Sequence, residues 1–463
     1  MKADAFLGLD IGGTGAKAGV FDQCGRLLGF GRAKLAVDNQ SESSIEEIYT
    51  AVRDAARAAV SRAGVCVRAM SVSSQGQTFA PLDKDGRPLH PAIMWYDARA
   101  FREAEELKSQ VSAPIINDIS TIAKIVWLKK HASDAILHVQ KYLLLPDYIS
   151  FRLTGRAVTD PNTASSTGFY AADAFGYSKE ALNASGVEER QLAGIQPHGS
   201  IIGRLDADIA AEWGLTADTL LVTGSNDQYC GALGAGVCRP GTASETSGTC
   251  LAIVTLAEQI LSNLPDGLTS GRFPIEGYSF VLAYERTAGL MLDSFREELC
   301  PGKDFEELDK EASSVPPGSR GIVLPSNFDG ASKFTSNLSL KNAPAEIYRA
   351  ILESLAFSMK EKVELMKAQG LSFDSIRSIG GGAKSNLWLQ IKADILGMPI
   401  ERPQVTEAAS LGAAMIAASG AGAYASIAEA SKSMWRGEDI FKPNKFNKVV
   451  YDEAYRRYLQ LSH

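Results

Sequence analysis

The stretch AFLGLDIGGTGAKAGVFD, residues 5–22, decides the fold. Ala5–Ile11 and Ala16–Asp22 read as two strands, and Gly12-Gly13-Thr14-Gly15 between them reads as a tight turn. Cys24-Gly25 marks another turn before a third strand, Arg26–Ala33. The chain thus opens with a β-meander whose first turn is rich in glycine.

The elements that follow alternate in type. Ser44–Gly64 reads as a helix, with Ile45, Ile48, Ala51, Val52 and Ala55 at helical spacing and Gly64 at its end. Val67–Ser73 and Ala92–Tyr96 read as strands, and Thr121–His131 as a helix. A short apolar strand, Leu220–Thr223, runs through Gly224-Ser225-Asn226-Asp227-Gln228 into a small-residue helix, Tyr229–Gly236. Cys238-Arg239-Pro240-Gly241 reads as a turn and a boundary. Beyond it the opening pattern returns, with strands near Thr242–Ser247 and Leu251–Thr255 around Gly248-Thr249. Pro344–Gln369 is a long helix, Ser375–Ile379 a strand into Gly380-Gly381-Gly382-Ala383, Asn386–Leu396 a helix and Met398–Glu401 a strand. Thr406–Ser419 and Lys448–Leu461 are helices. This alternation in two halves predicts an α/β protein with mixed sheets flanked by helices. The expected domains are residues 1–240 and 241–463.

Composition narrows the function. The 463 residues carry 47 Lys plus Arg and 54 Asp plus Glu, a net charge of −7, which disfavours a nucleic-acid partner. Six cysteines without a C-x-x-C pair point to reduced thiols and a cytoplasmic location. Five histidines without ligand spacing give no reason to expect zinc. Residues 408–428 carry no charge, but Gly420 and Gly422 interrupt them, so they predict a helix packed inside a domain and no membrane span.

Three turns carry chemistry. At residues 12–15, small residues let backbone N–H groups approach a phosphate. Thr14 adds a hydroxyl, Lys17 a point charge, and Asp10 a carboxylate for Mg²⁺ or its waters. The same residues also suit a plain hairpin with a structural Asp. Asp227, between strand and helix, suits a general base and equally a helix N-cap. Three consecutive glycines at 380–382 before a helix suit a nucleotide, because no side chain blocks the backbone. Neither a P-loop nor a G-x-G-x-x-G is present.

In order along the chain, these pieces resemble the FGGY carbohydrate kinases, which include xylulokinases and glycerol kinases and belong to the actin-like ATPase superfamily. Leu9–Thr14 with Lys17 resembles the first phosphate hairpin. Ser74-Gln75-Gly76-Gln77 resembles the substrate loop, and Trp95-Tyr96-Asp97-Ala98-Arg99 the W-x-D-x-R segment. Leu145-Pro146-Asp147-Tyr148 and Leu153-Thr154-Gly155 match a further segment. Asn226-Asp227-Gln228 falls at the catalytic Asp, and Ser247-Gly248-Thr249 at the second phosphate hairpin. Ala288-Gly289 looks like a nucleotide contact, Gly380–Asn386 is similar to the adenosine segment, and Ala409–Ala414 completes the set.

The resemblance implies two actin-like (ribonuclease H-like) domains with an interdomain cleft, and ATP with Mg²⁺ phosphorylating a small sugar, ketose or polyol. A pentulose such as xylulose is the first choice. A glycerol-like polyol, tetritol or hexulose is the alternative, and an actin-like ATP-dependent switch is a different class. Asp227 is the implied general base. Gln77, Trp95, Asp97 and Asp227 would bind sugar, with Arg99 orienting Asp97 or touching the substrate. Gly13, Thr14, Lys17, Gly248, Thr249, Gly289, Gly382, Ala383 and Asn386 would bind nucleotide, and Asp10 and Asp227 the metal. A homodimer fits, since dimers are common in the family. Where xylulokinases have Met-His and glycerol kinases Arg-Glu, this chain has Gly76 and Gln77. The expectation is that Gln77 binds a sugar hydroxyl and Gly76 leaves room for a carbon. Gly382 is expected to lie so near the nucleotide that a branched Cβ would collide with it.

Overall fold

The computed structural model describes residues 4–35, 41–112, 116–171, 175–247, 250–285, 288–325 and 343–462. It divides into two compact units. The first holds residues 1–238, 271–277 and 407–435, and the second 239–270, 278–406 and 436–463.

In the first unit, the opening meander is β1 (Ala5–Ile11), β2 (Gly15–Asp22) and β3 (Leu27–Lys34). Helix α1 (Ile45–Ala63) follows. Its N-cap, Ser44, accepts the Glu47 N–H at 3.3 Å, and Gly64 ends it in the left-handed region at φ 61°. Ile45, Ile48, Val52, Ala55, Ala56 and Ala59 form its buried face, which packs on β2 and β3. Strands β4 (Val67–Ser74), β5 (Ile201–Arg204) and β6 (Leu220–Asn226) complete the sheet, in the order β5-β6-β4-β1-β2-β3. The β1–β4 and β4–β6 pairs are parallel, and the others antiparallel. Helix α2 (Asp227–Gly234) leaves β6.

The second unit repeats the plan. Its strands are β7 (Gly241–Ser247), β8 (Leu251–Ala257), β9 (Leu268–Arg272), β10 (Ser279–Glu285), β11 (Phe373–Ile379), β12 (Ile400–Pro403) and β13 (Gly437–Phe441). Their order is β9-β10-β8-β7-β11-β12-β13. Here β7–β8, β8–β10 and β12–β13 are antiparallel, while β7–β11 and β11–β12 are parallel. Each unit therefore holds one antiparallel meander extended by two parallel strands and closed by an antiparallel edge. The sequences of the two sheets are dissimilar, so the shared order rests on patterning. Helix α3 (Pro344–Ala368) buries Ile347, Ile351, Leu352, Phe357 and Met359, and α4 (Asn386–Leu396) packs against it.

One expected strand is shorter. Ala92–Tyr96 is extended only over Ala92–Ile93. The buried Lys124 Nζ takes the Met94 and Trp95 carbonyls at 2.8 and 2.9 Å, and the Trp95 N–H donates to Thr78 Oγ1 at 2.9 Å. Those backbone groups are withdrawn from any ladder by side chains distant in sequence.

The uncharged segment forms helix α5 (Ala408–Gly420), buried along most of its length against β1, β4, β6 and α2. Among the described residues no helix is long and apolar enough to cross a membrane. Backbone meets backbone here. A Cβ on Gly8 of β1 would stand 1.7 Å from the Ser410 carbonyl oxygen, and one on Gly412 would stand 1.9 Å from that of Cys230. Gly412→Ala should therefore force α5 off its bed and destabilise the protein by about 1–3 kcal/mol or more, as overpacking does. The urea midpoint measures this; an unchanged midpoint would contradict so close a seat.

Candidate active site

Strand register assembles the first cluster. Asp10 of β1 pairs with Ser73 of β4, and Ile11 with Ser74. On the other side of β4, Ser225 and Asn226 pair with Ser73 and Ser74. Three parallel strands thus end level, and residues 12–15, 75–77 and 227 leave from one edge of the sheet. The carboxyl ends of parallel strands are where open α/β sheets take ligands.

Asp227 and Asn226 divide the work that sequence left open. Asn226 is the N-cap of α2, its Oδ1 accepting the Gln228 N–H at 3.1 Å. Asp227 is the first helical residue, so its carboxylate is not consumed by the cap. Burial raises its pKa above the ordinary carboxylate range. Asp10 is raised further, to about 7: burial acts most strongly, Lys17 opposes it, and the charges of Asp227 and Glu407 add to it. Ser73 Oγ donates to Asp10 Oδ1 at 3.3 Å. Lys17 Nζ lies 2.8 Å from Glu407 Oε2. Glu407 immediately precedes α5, and sequence reading missed it; a lone Glu between two loops gives no local signal.

Around the turn, a Cβ on Gly13 would stand 3.3 Å from Trp95 Nε1 and 3.6 Å from Gln75 Oε1. The hairpin, Trp95 and Gln75 therefore share one wall. Gln75 is 4% exposed, and neither atom of its side-chain amide has a hydrogen-bond partner. A buried, unpaired amide is costly unless a ligand satisfies it. Its neighbour Gln77, the expected sugar ligand, is half-buried, and its backbone carbonyl accepts the Thr121 hydroxyl at 3.4 Å. Thr14 is exposed, and its carbonyl accepts the Leu35 N–H at 3.0 Å.

Asp97 is buried, and Arg99 grips it. Nε donates to Oδ1 at 2.9 Å and Nη2 to Oδ2 at 2.8 Å, while Nη1 donates to Glu42 Oε1 at 2.6 Å. Arg99 thereby fixes the orientation of the Asp97 carboxylate. Gly76 does not leave open space: a Cβ there would meet Ser166 Oγ at 2.4 Å and Asn226 Nδ2 at 3.4 Å. The missing bulk is filled by the protein's own Ser166.

In the second unit, Thr246 of β7 pairs with Ile379 of β11, which sets Ser247 beside the Gly380–Ala383 turn. Gly380 takes φ 77°, and Gly381–Lys384 forms a 3₁₀ turn before α4. A cavity of about 980 Å³ opens there, lined by Gly381, Gly382, Ser385, Asn386, Leu387 and Trp388 from the turn and helix, with Leu292, Phe305, Asp309 and Tyr348 facing them. That volume suits a nucleotide. Ala383 is buried; its carbonyl and Asn386 Oδ1 accept from Arg402 Nη1 at 3.3 and 2.8 Å. Gly382 lines the cavity, but its Cβ would meet Ser247 Cβ and Trp388 Cζ3, each at 2.7 Å. The protein's own packing thus demands glycine there as well. Gly289 falls in the first turn of the Ala288–Leu299 helix. Gly248 and Thr249 lie outside the described residues.

Among the described residues, no three His, Cys, Asp or Glu side chains converge as a metal cage. Mg²⁺ needs none, since it binds through one or two carboxylates plus phosphates and waters. Asp10 fits that use: a divalent cation would favour its charged form against the burial, and the Asp227 and Glu407 charges, that raise its pKa.

Models of the FGGY family of carbohydrate kinases match the chain twice, the N-terminal domain over residues 5–234 and the C-terminal domain over 301–421. The chain is 25% identical over 479 residues to the xylulose kinase of Staphylococcus epidermidis, covering 99% of this chain and 96% of the relative. It is 28% identical over 491 residues to the autoinducer-2 kinase of Klebsiella pneumoniae, covering 96% and 91%. The solved structure of ligand-bound xylulose kinase from Lactobacillus acidophilus has the same fold, with a TM-score of 0.88 at 21% identity over 99% and 97% of the two chains.

The Asp10 environment gives a pH test. Its folded pKa of about 7 lies above the ordinary carboxyl value of 3.8. Between the two, the folded state keeps a proton that the unfolded state has lost, so this group's contribution to stability falls as pH rises. In metal-free buffer, wild type should lose more stability between pH 5 and 8 than Asp10→Asn. Parallel urea profiles for the two proteins would contradict the crowding of charge.

Proposed function

The chain belongs to the FGGY family of carbohydrate kinases and is an ATP-dependent sugar kinase; within that activity we propose that its acceptor is a small ketose or polyol, a pentulose of the xylulose kind first, with Asp227 as general base. The observation that carries the proposal is the half-buried Asp227 carboxylate, beside the Asn226 N-cap at the level strand edge that also presents Gly13 and Gln75.

The geometry supports the following roles. Asp227 accepts the proton of the attacking hydroxyl. Its raised pKa makes it a better base than a solvent-exposed carboxylate. Gln75 offers a donor and an acceptor to the sugar, Gln77 a second pair, and Trp95 an apolar wall. Asp97, locked by Arg99, holds one orientation and so accepts from a hydroxyl without loss of freedom. Lys17 and the Gly13–Thr14 backbone stabilise phosphate oxygens. Asp10, with Asp227, would hold Mg²⁺, which offsets charge on the transferring group. In the second unit, the cavity around Gly382, Ala383 and Asn386 takes the adenosine, with Gly248, Thr249 and Gly289 serving its phosphates.

The autoinducer-2 kinase relative, at 28% identity, favours a second acceptor. A panel of ketoses, polyols and autoinducer-2 with MgATP would decide between them.

Asp227→Asn should lower turnover ~10²–10⁴-fold, the range for loss of a general base, while ADP affinity measured by calorimetry stays at the wild-type value. Near-wild-type turnover would end the assignment. Gln75→Leu should lower kcat/KM for the true acceptor by about 1–3 kcal/mol, the penalty for unpaired polar groups. It should also narrow the gap to deoxy analogues. An unchanged ranking across the panel would remove Gln75 from the acceptor site. Leu387→Trp should fill the cavity and weaken ATP binding at least ~10-fold, about the effect of losing 1.4 kcal/mol; unaltered affinity would move the nucleotide elsewhere.

A further inference from the structure

Beneath the turn that lines the second unit's cavity lies a charged network with no part in the scheme above. Lys392 of α4 is 1% exposed and Glu245 of β7 is 0% exposed. Lys392 Nζ stands 2.9 Å from Glu245 Oε1 and donates to Ser247 Oγ at 2.8 Å. Its ammonium also lies 4.0 Å from the centre of the Trp388 ring. Three N–H bonds thus meet a carboxylate, a hydroxyl and an aromatic face, which accounts for every proton the group carries. Glu245 is equally satisfied: Ser247 Oγ donates to its Oε1, and Ser378 Oγ to its Oε2 at 2.6 Å.

A buried ion pair contributes little to stability compared with an apolar pair of the same size. What this one does is hold two cavity-lining residues in place. Ser247 and Trp388 both line the cavity, and both press on Gly382, whose Cβ position they block at 2.7 Å each. Lys392 touches both. Ser247 also immediately precedes Gly248-Thr249 in the chain.

We propose that Lys392 is a positioning residue for the nucleotide: with Glu245 it fixes Ser247 and Trp388, and through them the backbone of Gly381 and Gly382 that the nucleotide meets. Lys392 is absent from the cavity wall, so it acts through these neighbours and does not touch the ligand. The inference rests on the cavity being the ATP site.

The test measures ATP and ADP affinity by calorimetry alongside the melting temperature. Lys392→Met alone leaves Glu245 charged and unpaired, so it should lower both. Lys392→Met with Glu245→Gln removes both charges and keeps an acceptor for Ser378. It should melt near wild type yet still bind ADP ~10–10²-fold more weakly, the scale of a misplacement remote from the ligand. Ser247→Ala, a single-atom change that leaves the ion pair intact, should weaken nucleotide in the same way. Wild-type affinity in Ser247→Ala, or in the double variant once folded, would overturn the proposal and leave the network a stabilising contact only. If instead Leu387→Trp leaves wild-type ATP binding untouched, it is the location of the nucleotide site that fails, and the positioning role fails with it.

Discussion

The parallel pairing of β1 with β4, and of β4 with β6, fixes where every candidate residue of the first unit can act. Asp10, Ser73 and Ser225 lie in one row across three strands. Side chains and loops just beyond that row leave together, because a strand advances about 3.3 Å per residue and a one-residue slip would turn each side chain to the opposite face. The register is held by α5, whose backbone seats directly on Gly8 and Cys230. A helix free of charge and nearly free of bulk is what such a seat requires. It explains why residues 408–420 look like a membrane segment by composition but are an internal one by packing.

The two units hold their charge clusters in opposite ways. In the first, Asp10, Asp227 and Glu407 crowd like charges around a single Lys17, and Asp10 stays unfavourable as an anion. Such a site gains from a cation and from a proton to accept, and perturbed carboxylates of this kind mark sites of proton chemistry. In the second, Lys392 and Glu245 neutralise each other and spend all their hydrogen bonds inward. That closed, fully hydrogen-bonded arrangement suits holding its neighbours in place.

Much of this is legible from residues alone. Ala5–Ile11, Thr121–His131 and Asn386–Leu396 form where periodicity and turn residues place them, since local pattern and tertiary packing agree there. Asp10, Lys17 and Asp227 stood out through the ordered resemblance, since the local pattern alone suits a structural hairpin Asp and a helix N-cap as well. The strand at Ala92–Tyr96 was over-extended because Lys124 and Thr78, distant in sequence, claim its backbone. Glu407 was invisible because its partner lies 390 positions away on β2. Gln75 and Gln77 are chemically identical in sequence; burial separates them, Gln75 being 4% exposed and Gln77 half-buried.

Glycine shows most clearly where sequence reading stops. A glycine in a motif reports that something comes close, and it does not report what. Gly76 and Gly382 both read as space left for a ligand, yet Ser166 fills the one and Ser247 with Trp388 the other. In each case the close neighbour is a protein group that itself borders the candidate site. The glycine therefore still matters for binding, but at one remove: it sets how near the second layer can stand, and that layer sets the wall. A side chain at position 76 would meet Ser166 and Asn226 and no open space. That is why a comparison confined to the two residues at 76 and 77 could distinguish this chain from xylulokinases and glycerol kinases without naming its sugar.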